Sequence, residues 1–532
     1  MQRRRLIFIL AVVAMLGQMA FAMVTTAIQQ SPTIDEPVYV ATAEVYRQQH
    51  SLRYNPEHPP LGKLIIAAGT AFADPELDPG FNGNQTLLGR HLLYENGNNP
   101  FQVMLLARLP VILLTLLFGL VVLAFARDVA GPVAGLIALA LYSFSPDVIA
   151  HGSLATLDVP AAGMLLTAFW LAWRARGRPL PYAPLAGAAL GAALATRASM
   201  LPAVPLLVGV VALSVWRART DELKRRLLIA AGAALGAGVV AVVVVWLAYL
   251  AVDPRLRWST PPGLPDVRGL KGLAVSLLPF PEAYRDGMLI QFRFEDRTFN
   301  GFLLGEPYKG SRWYYMPVAI LIKTPLAMLA LWVGGVLTML VVPRLRVALL
   351  YLLPVSAALL LVSMLGSRNY GTRYAIFLPL FLGVAAGAVA LIELKWSRIA
   401  AGVLVLWVAV SSLLTFPFYL PYSNEAFGGT ARTHLNLHDA NVDWGQDLAR
   451  LGQHLRSAYP GEQVWLAYKG SGVPAYYGIP ARDPYSVPED QVRGLLVVSD
   501  SRVAIPGPRL KRMIATSQEI DHVGHSIRIY RR

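Results

Sequence analysis

The chain has 532 residues, 55% of them hydrophobic and 15% charged, with a mean hydropathy of +0.48. Soluble globular chains carry about 25% charged residues, so a soluble enzyme, a disordered scaffold and a secreted module are excluded. Lys and Arg number 47 against 32 Asp and Glu, a formal net charge of +15, and cysteine is absent. Disulfides, thiolate metal sites and cysteine nucleophiles are therefore excluded.

Taken in chain order, the apolar segments divide into about eleven spans of roughly the length that crosses a bilayer. They cover residues 6–28, 103–126, 130–146, 156–173, 181–196, 199–216, 227–252, 313–342, 347–366, 374–393 and 399–420. Every second gap is basic: Arg3, Arg4 and Arg5, then Arg127, then Arg174 to Arg178, then Arg217 to Arg226, then Arg344 and Arg346, then Lys395 and Arg398. The positive-inside rule makes those gaps cytoplasmic. The amino terminus is then inside, the carboxy terminus outside, and every long polar segment (29–102, 253–312 and the tail from 421) faces outward. The basic excess thus reports topology, not nucleic-acid binding. Ala20-Phe21-Ala22 mimics a signal-peptide cleavage site, but the apolar run continues to Ile28, long enough to span, and is read as a retained helix.

Residues 1–420 form the membrane module in this reading, and 421–532 a small water-facing α/β domain. Asp447–Ala458 places Leu448, Leu451 and Leu455 on one helical face. Gln463–Tyr468 and Leu495–Ser499 are short β-rich runs bounded by Gly and Pro. No internal repeat and no inverted-repeat signature of a transporter is evident.

The first outer loop opens with Asp35-Glu36-Pro37. A carboxylate there is placed to deprotonate an acceptor hydroxyl, or Asp35 caps a helix that begins at Glu36-Pro37. Next comes Glu57-His58-Pro59-Pro60-Leu61-Gly62-Lys63, an extended turn followed by a short interfacial helix, Leu64–Phe72. Glu57 and His58 are weak candidates for a divalent metal ion, whose requirement is unknown. Arg108, Asp158, Arg197, Lys323, Arg368 and Arg373 lie at or within the outer ends of spans, where charges face a cavity or a partner, or snorkel. Trp313 reads as a belt anchor, whereas Tyr314 and Tyr315 are open candidates for a sugar pocket. Cations at the outer interface suit the phosphate of an anionic lipid, and stabilise the charge that grows on it as a sugar–phosphate bond breaks.

In chain order these strings resemble family 39 of the GT-C glycosyltransferases, relatives of protein O-mannosyltransferases and aminoarabinose lipid A transferases. They are Asp35-Glu36, His58-Pro59-Pro60-Leu61-Gly62-Lys63, Arg108-Leu109-Pro110 and Ala155-Thr156-Leu157-Asp158-Val159-Pro160. Further on come Trp313-Tyr314-Tyr315, Lys323-Thr324-Pro325 and Asn369-Tyr370-Gly371-Thr372-Arg373-Tyr374, then Asn441-Val442-Asp443-Trp444-Gly445-Gln446-Asp447-Leu448, typical of a bacterial subgroup. The resemblance implies an α-helical polytopic GT-C fold in the bacterial inner membrane. It implies an inverting transfer from a polyprenyl-phosphate sugar to an acceptor protein, glycolipid or polysaccharide at the outer face. Asp35 becomes the general base with Glu36 beside it and Asp158 in the site floor. His58, Lys63, Arg108, Arg197 and Arg373 become phosphate candidates, with Tyr314, Tyr315 and Lys323 lining the substrate. Two departures stand out: there is no MIR-like outer domain, and His58 stands where aminoarabinose transferases tend to carry Lys. The rival readings are a transporter or flippase of such lipids, and a non-catalytic assembly subunit.

Overall fold

The structure is a computed structural model that describes residues 2–532. Its membrane part is a bundle of apolar helices. Six are long and apolar enough to cross a membrane: Gln2–Gln29, Pro100–Ala130, Ala198–Arg217, Leu223–Val252, Pro343–Leu365 and Lys395–Thr415. Two more spans arise if each of two bent helix pairs is counted as one. The remaining three expected segments are also helical, as Asp158–Arg174, Pro179–Thr196 and the short apolar stretch Phe377–Leu391. The chain is a multi-pass membrane protein.

Small residues set the closest helix approach. A Cβ on Gly187 would sit 2.2 Å from the Ala237 carbonyl oxygen, and one on Gly191 2.5 Å from that of Ala241. Both pairs are spaced by four, the pattern that lets membrane helices meet backbone to backbone. Proline sets the breaks. Pro132–Ser143 turns into Pro146–Gly152 at 61°, and Tyr315–Lys323 into Leu326–Val341 at 113°.

The long loops gather at one end of the bundle. The first carries the helix Glu36–Gln49 and the short helix Leu61–Thr70, which begins directly after Pro59-Pro60. The second holds Gly269–Ser276, Glu282–Glu295 and a hairpin of Asn300–Leu303 with Glu306–Lys309. The chain ends in an α/β unit. Its helix Leu448–Ala458 packs Leu448, Leu451 and Leu455 on a five-stranded sheet. Across that sheet the strands run Ala481–Arg482, Val464–Ala467, Leu495–Ser499, Ile527–Arg531, Gln518–Val523, the first three mutually parallel. The anticipated helix and both anticipated strands appear within a residue or two of their limits.

Candidate functional site

Where the first helix gives way to the first loop, the chain carries two adjacent carboxylates. Glu36 begins a helix whose first turn is preset by Pro37, and its side chain is fully buried. Arg108 Nε and Nη2 donate to its two oxygens at 2.7 Å each. Thr33 N (2.8 Å), Thr33 Oγ1 (3.0 Å) and Ala155 N (2.8 Å) donate as well. Burial pushes the Glu36 carboxyl up, yet Arg108 and these donors outweigh it and hold the group below its ordinary range. Arg108 also donates to the carbonyls of Ala27, Gln30 and Ser31, so all five of its N–H groups are engaged. In this arrangement Arg108, expected as a phosphate candidate, has no free N–H, and Glu36, expected beside the base, faces Arg108. Together they are a buried strut that locks the first loop to the bundle.

Asp35 behaves differently. It occupies the residue before the helix but makes no side-chain capping bond, so the capping alternative falls away. Its side chain is 29% exposed and accepts from Arg373 Nη1 at 2.8 Å. Arg373 lies 3.9 Å from Asp158, and Asp158 in turn pairs with Arg197. The Arg373 guanidinium sits 4.8 Å from the Tyr374 ring centroid and 4.4 Å from that of Trp444. His58 lies edge-on to Tyr39 at 5.7 Å. Burial, followed by Arg197, Lys63, Arg368 and Arg373, drives its imidazole well below the ordinary range, so it is neutral at pH 7. Asp35, His58, Asp158, Arg197 and Arg373 therefore share one cluster.

Lys63 borders this cluster through His58, and the other expected residues make different contacts. Lys63 is buried and donates to the carbonyls of Asn55 (2.8 Å) and His58 (2.7 Å) and to Asn55 Oδ1 (3.2 Å). Burial lowers its ammonium to about 7, and these bonds pin the Pro-Pro loop. Lys323 sits at the sharper helix break, donating to the carbonyls of Leu420 (2.6 Å) and Asn441 (3.1 Å) and lying 3.3 Å from Asp147. The broken helix is thereby closed on protein partners. Tyr315 is buried, its hydroxyl accepting from Asn441 Nδ2 at 2.9 Å, whereas Tyr314 is 37% exposed. Glu57 accepts from Gln85. Among the described residues no group of three or more His, Cys, Asp or Glu stands together as metal ligands, and no step is assigned to a metal.

Ser31 and Ile34, which sequence reasoning did not single out, tie the site to the Asn441–Leu448 string. Ser31 N donates to the Gln446 carbonyl and Ile34 N to that of Trp444, both at 3.0 Å. Ser31 Oγ bridges the Gly445 carbonyl and Leu448 N. Asn441 Oδ1 accepts from Thr372 N at 3.0 Å, one residue from Arg373. The Asp443-Trp444-Gly445-Gln446-Asp447 string is thus a latch that joins the tail to both loops bearing Asp35 and Arg373. Its distinctiveness as a motif was visible in the sequence, but its partners were not.

Residues 13–255 match the family model described as dolichyl-phosphate-mannose-protein mannosyltransferase. No curated protein matches the sequence significantly. ArnT from Cupriavidus metallidurans bound to undecaprenyl phosphate is similar over 98% of this chain and 97% of its own, at 14% identity and a TM-score of 0.51. The Pmt1-Pmt2 complex of S. cerevisiae bound to the sugar donor aligns over 47% of this chain and 33% of its own, at 16% identity and a TM-score of 0.36. An Archaeoglobus fulgidus oligosaccharyltransferase aligns over 84% and 57%, at 12% and 0.41. The chain has the fold of ArnT, and its residues 13–255 are similar to the mannosyltransferase family.

Proposed function

We propose that this chain, whose first half matches the mannosyltransferase family and whose fold is GT-C, moves a sugar from a polyprenyl-phosphate donor to an acceptor at the outer face of a bacterial inner membrane. The observation that carries the reading is the contrast within the cluster. Asp35 is a partly exposed carboxylate beside the buried Arg373, while Glu36 and Asp158 are buried and paired.

A general base must reach the proton it removes, and Asp35 is the carboxylate of the three with an open side. It takes the proton of the acceptor hydroxyl as that oxygen attacks the anomeric carbon. The sugar–phosphate bond breaks on the opposite face, so the configuration inverts. Arg197 and Arg373 stabilise the charge that develops on the leaving lipid phosphate. Arg373 Nε and Arg368 Nε are buried without a hydrogen-bond partner, which leaves donors for that phosphate. Neutral His58 is a further hydrogen-bonding group at the same cluster. Asp158 orients Arg197 and Arg373 between itself and Asp35.

The basic gaps between spans support a cytoplasmic amino terminus and an extracytoplasmic tail. ArnT in its undecaprenyl phosphate complex supports the lipid class of the donor. The test is transfer of label from a panel of polyprenyl-phosphate hexoses to an envelope extract by purified wild type and Asp35→Asn in liposomes. Transfer by wild type alone is expected. Equal transfer by both removes Asp35 as base, and none by either, across the panel, removes the transferase.

A further inference from the structure

A void lies beside Arg108 of the buried strut. It holds about 140 Å³ between the loop-bearing ends of the helices Gln2–Gln29 and Pro100–Ala130, and Tyr477 of the tail also lines it. Its walls are apolar: Ile28, Phe101, Met104 and Leu105. Ile28 and Phe101 are 59% and 52% exposed. Both belong to helices long and apolar enough to span a membrane or to their immediate ends. What meets the mouth of this void is therefore bilayer.

Its polar end has an unusual balance. Gln30 lines it and is 6% exposed, and its Oε1 has no hydrogen-bond partner. A buried amide oxygen left without a donor is costly. The other polar groups of the wall are committed. Arg108 has every N–H engaged and its charge matched by Glu36. Ser31 Oγ is held by the Gly445 carbonyl and Leu448 N, and the Tyr477 hydroxyl by Tyr94 at 3.0 Å. The void thus offers the Gln30 side-chain amide, free at both its oxygen and its nitrogen, which suits a neutral hydrogen-bonding head, and no free cation for a phosphate.

We propose that this void is a lipid site, distinct from the cluster around Asp35, that takes an acyl chain whose hydroxyl- or amide-bearing head donates to Gln30. The chain runs from Gln30 at the membrane boundary past Phe101 and Met104 towards Leu105. A lipid seated there touches the first loop, the second long helix and the tail at once, and clamps the C-terminal domain onto the membrane part.

The test uses the full chain in phosphatidylcholine nanodiscs containing a diacylglycerol with a diazirine on one acyl chain, with adducts mapped by peptide mass spectrometry. Adducts concentrated on residues 27–32 and 100–105 are expected. Ile28→Trp, which plugs the mouth from an exposed position, and Gln30→Leu, which removes the polar partner, are each expected to reduce them about fivefold, the scale of one hydrogen bond. Phosphatidic acid with the same diazirine chain is expected to label these segments several-fold less. Adducts spread evenly over the lipid-facing helices, or undiminished in a folded Ile28→Trp protein, overturn the proposal. Asp35→Asn is expected to leave the labelling unchanged, so failure of the transferase reading and failure of the lipid site are separate results.

Discussion

Asp35 and Glu36 are neighbours in sequence and each is paired with an arginine, yet they sit in opposite kinds of environment. Glu36 receives five hydrogen bonds in a fully buried pocket. Asp35 receives one from Arg373 and keeps 29% of its side chain exposed. The closed pair is matched donor for acceptor, which is what makes a buried ion pair tolerable. The open pair leaves lone pairs for a substrate. The same residue types at consecutive positions thus divide into a structural strut and a reactive group, and the division is set by partners far away in the chain.

Breaking the open side is expected to have the largest effect on turnover. Asp35→Asn should lower transfer by about 10²–10⁴, the range for loss of a general base, with the melting temperature and donor binding unchanged. Breaking the closed side should do the reverse. Arg108→Ala leaves Glu36 as an unpaired buried carboxylate, at a cost of about 3–5 kcal/mol. It should appear as a large fall in melting temperature and in yield of folded protein. If Arg108→Ala melts like wild type and only weakens donor binding, Arg108 is a phosphate ligand after all and the comparison collapses.

Trp444 tests how far the open pair depends on the tail. Its ring lies 4.4 Å from the Arg373 guanidinium, and a desolvated cation–π contact is worth about 2 kcal/mol. Trp444→Leu should therefore lower kcat about tenfold through loss of Arg373 positioning, with Trp444→Phe recovering part of it. The backbone bond from Ile34 to residue 444 does not depend on the side chain. A fall in melting temperature with kcat unchanged would make Trp444 a packing residue only.

Much of this architecture was legible in the sequence because it is local. Hydropathy located the helical segments, Leu448, Leu451 and Leu455 gave the tail helix, and the loop helix was expected from Leu64, three residues after its actual start at Leu61. Asp35 was legible as a candidate through its place directly after the first helix. What could not be read was how each charge is partnered. Arg108 and Glu36 are 72 residues apart, and Lys323 and the Asn441 carbonyl 118. Residue type and depth announce that a charge needs partners, but not whether the fold or a ligand supplies them. Asp147 escaped for the same reason, and Trp444 was legible only as part of a motif, since the first faces Lys323 and the second Arg373 only in three dimensions.

Asp500 sharpens the comparison from the other side, because it is a buried carboxylate whose donors do not match its acceptors. Arg528 Nε donates to Oδ1 at 2.9 Å, while Oδ2 is buried without a partner. Burial, with the nearby Asp443 charge adding to it and Arg528 opposing, raises its carboxyl to about 7; burial raises Asp443 to about 6. In the unfolded chain both return to 3.8. Between these values the folded protein binds more protons than the unfolded one, so their contribution is full below pH 3.8 and is lost as the pH rises through 6 to 7. His438 works against this at the acid end. Burial lowers its imidazole from 6.5 to about 4, so its contribution is lost as the pH falls through that window. The clean observable is the difference between wild type and Asp500→Asn, which keeps an oxygen for Arg528 but cannot ionise. The variant should melt above wild type at pH 8.5, and the gap should close by pH 4.5. A gap that does not change with pH would mean that Asp500, like Glu36, is ionised and matched throughout, leaving nothing for the carboxylates of this protein to divide on but solvent access.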